Sequence, residues 1–196
     1  DDSLRDYAGT FPEPNPYVTE RKHYQDQRQP RAAYAAMISR MDRCVGQIMA
    51  LLKKLDLDEM TIVFFTSDNG AQGGGGPDLK FFQGNRHLRG AKGMMYEGGL
   101  RVPMIVRWPG RVAAGSVSEH VGYFGDLLAT AADLAGARAS EGLDSISFVP
   151  ALLGKDDEQK QHEYLYWEFY ERGSKQAVRK GNWKAIRQPM FTGKTE

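Results

Sequence analysis

Apolar and polar positions alternate in three ways along this chain, and each predicts a different element. From Pro30 onward, Tyr34, Met37, Ile38, Met41, Val45, Ile48, Leu52 and Leu55 recur every three or four positions, which lines one face of a helix. Lys53 and Lys54 fall in its last turn, where cations suit the helix macrodipole. Residues 61–66 (Thr-Ile-Val-Phe-Phe-Thr) form a short, unbroken apolar run rich in β-formers, the pattern of a strand covered on both faces in a mostly parallel sheet. Residues 104–108 restore a strand, closed by Pro109-Gly110. Residues 124–135 return to helical spacing through Leu127, Leu128, Ala131 and Leu134, with Gly136 placed to end the helix, and a shorter helix is expected near residues 148–153.

After the charged run at residues 155–160, expected to be a solvated connector, the period changes to two. Residues 164–169, 176–180 and 183–187 are short strand patterns separated by turn residues, as in a β-meander. The predicted fold class is therefore α/β: helices flanking a partial mixed sheet, then a small antiparallel meander. The domain boundary is expected near residue 155, with 1–155 as one domain and 156–196 as the start of a second. Residues 1–29, with Pro12, Pro14 and Pro16 and no sustained period, are expected to be a surface loop. The absence of an initiator Met and the abrupt stop after the last strand pattern read as the ends of an excised piece.

Composition narrows the function classes. Hydrophobic residues make up 41% and charged ones 26%, as in an ordinary globular domain. With 26 Lys+Arg against 25 Asp+Glu the net charge is +1, too small a field to argue for nucleic acid. No apolar run approaches the ~20 residues that span a bilayer. The single Cys44 excludes an internal disulfide, and its place on the apolar-patterned helix makes it a candidate core thiol. Trp108, Trp167 and Trp183 are read as core aromatics in strands, and His23, His120 and His162 as surface or packing residues.

Chemistry gathers between residues 67 and 103, where glycines crowd the chain and no period survives. Ser67-Asp68-Asn69-Gly70 follows directly on a strand, and ligands of open α/β sheets collect at the carboxyl ends of strands. Asp68 and Asn69 offer hard oxygens suited to Ca²⁺ or Mg²⁺, although Asp-Asn-Gly is also a good turn sequence. Leu88-Arg89-Gly90-Ala91-Lys92-Gly93 sets Lys92 among small neighbours, open to an anion or simply to water. In Tyr96-Glu97-Gly98-Gly99-Leu100-Arg101-Val102-Pro103, Glu97 and Arg101 are read as holding a tight turn rather than as a base and an anion clamp. His87, five residues before Lys92, is a candidate substrate contact or a solvated imidazole.

Taken in order, these motifs followed by Ile105-Val106-Arg107-Trp108-Pro109-Gly110 resemble the second half of the catalytic domain of type I sulfatases, the arylsulfatase-like branch of the alkaline phosphatase superfamily. Residues 126–130 with 134–136 are similar to that family's next helix, and residues 164–169 with 177–184 to the start of its small C-terminal domain. The resemblance covers roughly residues 30–187 and implies an alkaline-phosphatase-like fold. It implies sulfate-ester hydrolysis by a formylglycine made from Cys or Ser in Cys/Ser-x-Pro-x-Arg, with a divalent cation, usually Ca²⁺. Asp68 and Asn69 match the family's late metal ligands, and Lys92 matches the lysine that contacts the sulfate. His87 is carried as a contact toward the leaving group.

The departures matter as well. Cys44 precedes Val45-Gly46-Gln47, not x-Pro-x-Arg, so the nucleophile and the family's early Asp pair are expected in polypeptide preceding this segment. The segment alone is therefore expected to be inactive and to depend on that missing part as its partner. Ala71-Gln72 stand where many relatives place a His, and Asp144-Ser145 replaces Asp-Gly, a change read as structural. The resemblance implies a sulfate ester as substrate, with a sugar and an aryl alcohol both open as the group that carries it. Periplasmic or extracellular location follows only from the resemblance. Two alternatives stay open: a phosphodiesterase or phosphonate monoester hydrolase of the same superfamily, and a catalytically silent calcium-binding or interaction module.

Overall fold

The computed structural model describes residues 2–20, 25–73, 77–171 and 173–188; His23, residues 74–76 of the glycine run and the C-terminal residues 189–196 lie outside the described residues. The chain divides into two compact units, Asp1–Asp58 with Thr66–Pro103, and Glu59–Phe65 with Met104–Glu196.

The first unit is organised on helix α2, Pro30–Lys54. Pro30 opens it, where its missing N–H costs nothing, and the Glu13 carboxylate accepts from the Arg31 and Ala32 amides, each over 2.9 Å. Arg31 forms an ion pair with Asp78 at 2.7 Å and stacks over the Phe81 ring at 3.9 Å. Phe11, Tyr34, Phe81 and Phe82 pack ring against ring around this junction. The expected N-terminal loop contains a helix instead, α1, Asp2–Tyr7. It is held by tertiary contacts that no local pattern announces: Ser3 is 1% exposed and bonded by Arg43, and the Tyr7 hydroxyl meets Ser39 Oγ at 2.7 Å.

The apolar stripe of α2 is real but mostly uncovered. Its buried residues are Pro30, Ala32 and Ala36, whereas Met37, Ile48, Leu51 and Leu55 are each more than half exposed. Cys44 is exposed too, which corrects its reading as a core thiol: apolar spacing identifies a face but not whether anything in the chain covers it.

In the second unit, strand β1 (Val63–Thr66, its last residue assigned to the first unit) neighbours β2 (Met104–Arg107) in a two-stranded sheet. β1 is half-buried along its length, less covered than its apolar run predicts. Trp108 ties the chain back by donating from Nε1 to the Glu59 carbonyl over 3.2 Å. Helix α3 (Leu79–Phe82) and helix α4 (Glu97–Leu100), one turn each, interrupt the expected loop of the first unit. Helix α5 (Asp126–Leu134) ends as expected, with Gly136 at φ +66°, and α6 (Val149–Leu152) follows. The expected meander is present as β3 (Leu165–Phe169), β4 (Lys175–Lys180) and β5 (Trp183–Arg187), both pairs antiparallel. Trp183, read as a core aromatic, is 84% exposed, because its register partner Lys180 places it on the open face of the sheet.

Asp126 is the polar centre of the second unit. Its carboxylate is fully buried and accepts from the Ile146 amide at 2.8 Å, the Tyr123 amide at 3.0 Å and His162 Nε2 at 2.9 Å. Ser145 Oγ donates to the Gly125 carbonyl at 2.7 Å and accepts from the Ala129 amide at 3.1 Å, tying its segment to the start of α5.

Candidate functional site

Asp68 and Asn69 follow β1 after Ser67, and the backbone just beyond them is fastened in a knot of close main-chain contacts. The Gly70 amide donates to the Gly99 carbonyl over 2.9 Å. A Cβ at Gly70 would lie 1.8 Å from the Gly98 carbonyl oxygen, and one at Gly98 would lie 2.3 Å from the Gly90 carbonyl oxygen. Glycine is required at both positions because one main chain rests directly on another. Three segments that are separate in sequence, around residues 70, 90 and 98, are thereby fastened together.

Lys92 belongs to the same knot. Its amide donates to the Ala71 carbonyl over 3.1 Å, three residues after Asp68. Asn85 completes the fastening: its Oδ1 accepts from the Ala71 amide at 3.2 Å and its Nδ2 donates to the Gly90 carbonyl. Nothing in the sequence singles Asn85 out, since an isolated Asn in a turn-rich stretch is expected for turn geometry alone. Arg89 contributes its carbonyl to the Gly98 amide at 2.7 Å and its guanidinium to the Tyr96 ring at 3.9 Å.

The side chains of the candidates face outward. Asp68, Lys92 and His87 are exposed, and Asn69 is half-buried. Among the described residues the Asp68 carboxylate has no hydrogen-bond partner. Asn69 Nδ2 donates to the Gly70 carbonyl at 3.0 Å, and Ser67 Oγ donates to the Asn69 carbonyl at 2.9 Å. His87 rides on a turn closed by the Leu88 amide on the Asn85 carbonyl at 2.9 Å. It is linked to the knot through Asn85 and not directly to Asp68 or Asn69. The Arg101 amide donates to the Glu97 carbonyl over 2.7 Å, closing one helical turn at the motif.

One hard anionic oxygen, on exposed Asp68, and one hard neutral oxygen, on half-buried Asn69, suit an alkaline-earth cation. They fit as part of such a coordination shell and no more: among the described residues no three His, Cys, Asp or Glu side chains gather around one point. The described helices include none long and apolar enough to cross a membrane.

The second unit holds His120 and His162, read from the sequence as surface or packing residues. His162 is a packing residue, with its side chain 9% exposed against Asp126. Both ring nitrogens of His120 are shut off from solvent without a well-formed hydrogen bond among the described residues, although the Gln161 side chain lies near enough to favour protonation. Burial, the largest influence, pushes the His120 imidazole below its ordinary value, and the nearby carboxylate of Asp126 opposes that shift.

Comparison with known proteins places these features in context. A family model described as Sulfatase matches residues 8–137, and one described as N-sulphoglucosamine sulphohydrolase, C-terminal, matches residues 87–191. The chain is 39% identical over 131 residues to N-acetylgalactosamine-6-sulfatase of Canis lupus familiaris, covering 63% of this chain and 24% of that protein. It is 37% identical over 163 residues to steryl-sulfatase of Mus musculus, covering 81% and 26%. The structure of Ps i-CgsB in complex with k-i-k-neocarrahexaose is similar with a TM-score of 0.69 at 34% identity, over 81% of this chain and 34% of that one. The chain thus spans about a quarter of the two curated relatives and about a third of the solved structure.

Proposed function

The chain belongs to the sulfatase family, and from that premise we propose that it is part of an enzyme that hydrolyses sulfate esters of a sugar or an aryl alcohol. Asp68 and Asn69 are the oxygen ligands it contributes to a divalent cation, most simply Ca²⁺. Lys92 meets the sulfate, and His87 lies toward the departing alcohol. The nucleophile in this reading is a formylglycine derived from Cys/Ser-x-Pro-x-Arg, a motif absent from the 196 residues, so it comes from other polypeptide of the parent.

The observation that supports this assignment is the Lys92 amide on the Ala71 carbonyl at 3.1 Å, beside the Gly70 amide on the Gly99 carbonyl. It brings the backbone of the lysine loop against the backbone that carries Asp68 and Asn69. Over the whole reaction one water is consumed: the ester S–O bond breaks as sulfur gains a new S–O bond, the alcohol leaves with one of the water's protons, and sulfate is released with the other. A cation at Asp68 and Asn69 would supply Lewis acidity toward the sulfate oxygens. The Lys92 ammonium stabilises negative charge as it builds on those oxygens, and its flexible four-carbon stem allows it to follow the group through the reaction. Small neighbours at Ala91 and Gly93 leave the approach to the amine open. Charge stabilisation by a fixed cation matters most once water is excluded, which this chain's exposed Asp68 and Lys92 achieve only with further polypeptide around them.

The test is turnover by the full-length parent on an aryl sulfate and on the matching aryl phosphate diester. Faster hydrolysis of the sulfate is expected, and preference for the diester would overturn the assignment. The 196-residue chain alone is expected to give no turnover.

A further inference from the structure

The meander presents two unlike faces. Residues paired across antiparallel strands point to the same side, so Trp167, Ala177 and Ile186 share one face, on which Ala177 is 2% exposed. The other face carries the rung Tyr166–Val178–Ala185, the rung Glu168–Gln176–Arg187, and the pair Lys180–Trp183. On this side Tyr166 is 50% exposed, Trp183 84%, and Tyr170, just past β3, 75%.

The two tyrosines are not loose. Both hydroxyls donate to the Glu168 carboxylate, and Gln176 Nε2 donates to it at 2.8 Å. Three donors on one acceptor hold that carboxylate down to about 2, with the Tyr166 hydroxyl contributing most. Fixing two long, exposed side chains costs rotamer entropy, and either hydroxyl would find water equally well. What the anchoring achieves is a pair of ring faces held in place before any ligand arrives. Beyond Tyr166 lie the small side chains of Val178 and Ala185, a low floor about 10 Å across three strands, bounded on β5 by Trp183. Arg187 stands beside the floor, exposed, as a planar fork for an oxyanion.

Flat aromatic faces, hydrogen-bonding groups at their edge and a guanidinium beside them are the complement of a pyranose ring, with its apolar C–H face, hydroxyl rim and sulfate substituent. We infer that this open face of the meander binds sugar residues of a sulfated glycan, with Tyr166 and Trp183 stacking on the rings and Arg187 pairing with a sulfate. The inference rests on the proposed function only in taking the ligand to be a sulfated sugar rather than another alcohol.

Calorimetric titration of the 196-residue chain with a sulfated galactan hexasaccharide, and with the same hexasaccharide after desulfation, tests it. Saturable binding is expected to weaken about three- to tenfold in Tyr166→Ala and in Trp183→Ala. Arg187→Ala is expected to lower affinity for the sulfated ligand alone. Glu168→Ala, which keeps both rings but removes the acceptor that anchors them, is expected to weaken both ligands while circular dichroism stays native. Binding that vanishes in Lys92→Ala and ignores the tyrosine belongs to the ester site and overturns the inference. In the full-length parent, Tyr166→Ala is expected to raise KM for polymeric sulfated galactan and to leave turnover of a small aryl sulfate unchanged. Loss of aryl sulfate turnover would mark the face as packed against other parts of the protein, and an unchanged polymer KM would mark it as idle; either result overturns the inference. Failure of the proposed function itself would show separately, as a preference of the unaltered parent for the aryl phosphate diester over the aryl sulfate.

Discussion

His162 and Asp126, 36 residues apart, meet at 2.9 Å with the carboxylate wholly buried and the imidazole nearly so. The pair joins the first turn of α5 to the residues that lead into the meander. Because the Ile146 and Tyr123 amides converge on the same carboxylate, one side chain closes three loops.

Removing that side chain strands all of its donors in the interior. Asp126→Ala is expected to destabilise the second unit by about 3 to 5 kcal/mol, the usual cost of breaking a buried pair from one side. Asp126→Asn, which keeps an acceptor oxygen, should cost less. Urea unfolding followed by tryptophan fluorescence measures both, and equal losses would show that charge, not shape, holds the junction.

Acid should loosen the same region through His120. Burial lowers its folded-state value below 6.5, so the unfolded chain binds the proton more readily. The contribution is fully present above that unfolded value and declines as pH falls through and below it. Asp126, His162, Asp156 and the Gln161 side chain are the neighbours that influence its charge. The urea midpoint is expected to drop between pH 7 and pH 5, and His120→Phe should flatten the drop. A slope unchanged by that substitution would assign the acid sensitivity elsewhere.

The backbone knot makes a sharper prediction. A methyl group at Gly98 would be 2.3 Å from the Gly90 carbonyl oxygen, which is main chain and has nowhere cheap to go. Gly98→Ala is expected to cost about 1 to 3 kcal/mol, and Gly46→Ala, where a Cβ meets nothing within 4 Å, should be neutral or stabilising. Comparable effects at the two sites would show that the close approach is not rigid.

In the parent enzyme Lys92→Ala should lower kcat by about 10²- to 10³-fold, the usual loss for one oxyanion-stabilising donor. An effect under about threefold would remove Lys92 from the chemistry. Aryl sulfate turnover under saturating substrate is the measurement.

Cation binding by the chain alone should be weak, because two oxygen ligands fall far short of the six to eight that Ca²⁺ takes. Calcium titration is expected to show no saturation in the micromolar range. Tight binding that survives Asp68→Ala would place the ion elsewhere.

The elements legible in the sequence were those whose periods are enforced by their own backbone. The three-and-four spacing of α2 and the two-residue alternation of β3, β4 and β5 each appear where expected. Three readings failed for one shared reason: α1, Cys44 and Trp183 depend on which surfaces are covered, and coverage is a tertiary property that local spacing does not encode. In the candidate site the glycines were visible as motifs. Their purpose, main chain against main chain at Gly70 and Gly98, emerges only in three dimensions, as does the bridging role of Asn85.

The Glu13 carboxylate on the first amides of α2, with Phe11 and Tyr7 seated nearby, means that the leading segment grips the helix by contacts beyond the peptide linkage between them. A protease nick anywhere from Pro14 to Gln29 would therefore yield two peptides that co-elute under native conditions and part company only in denaturant.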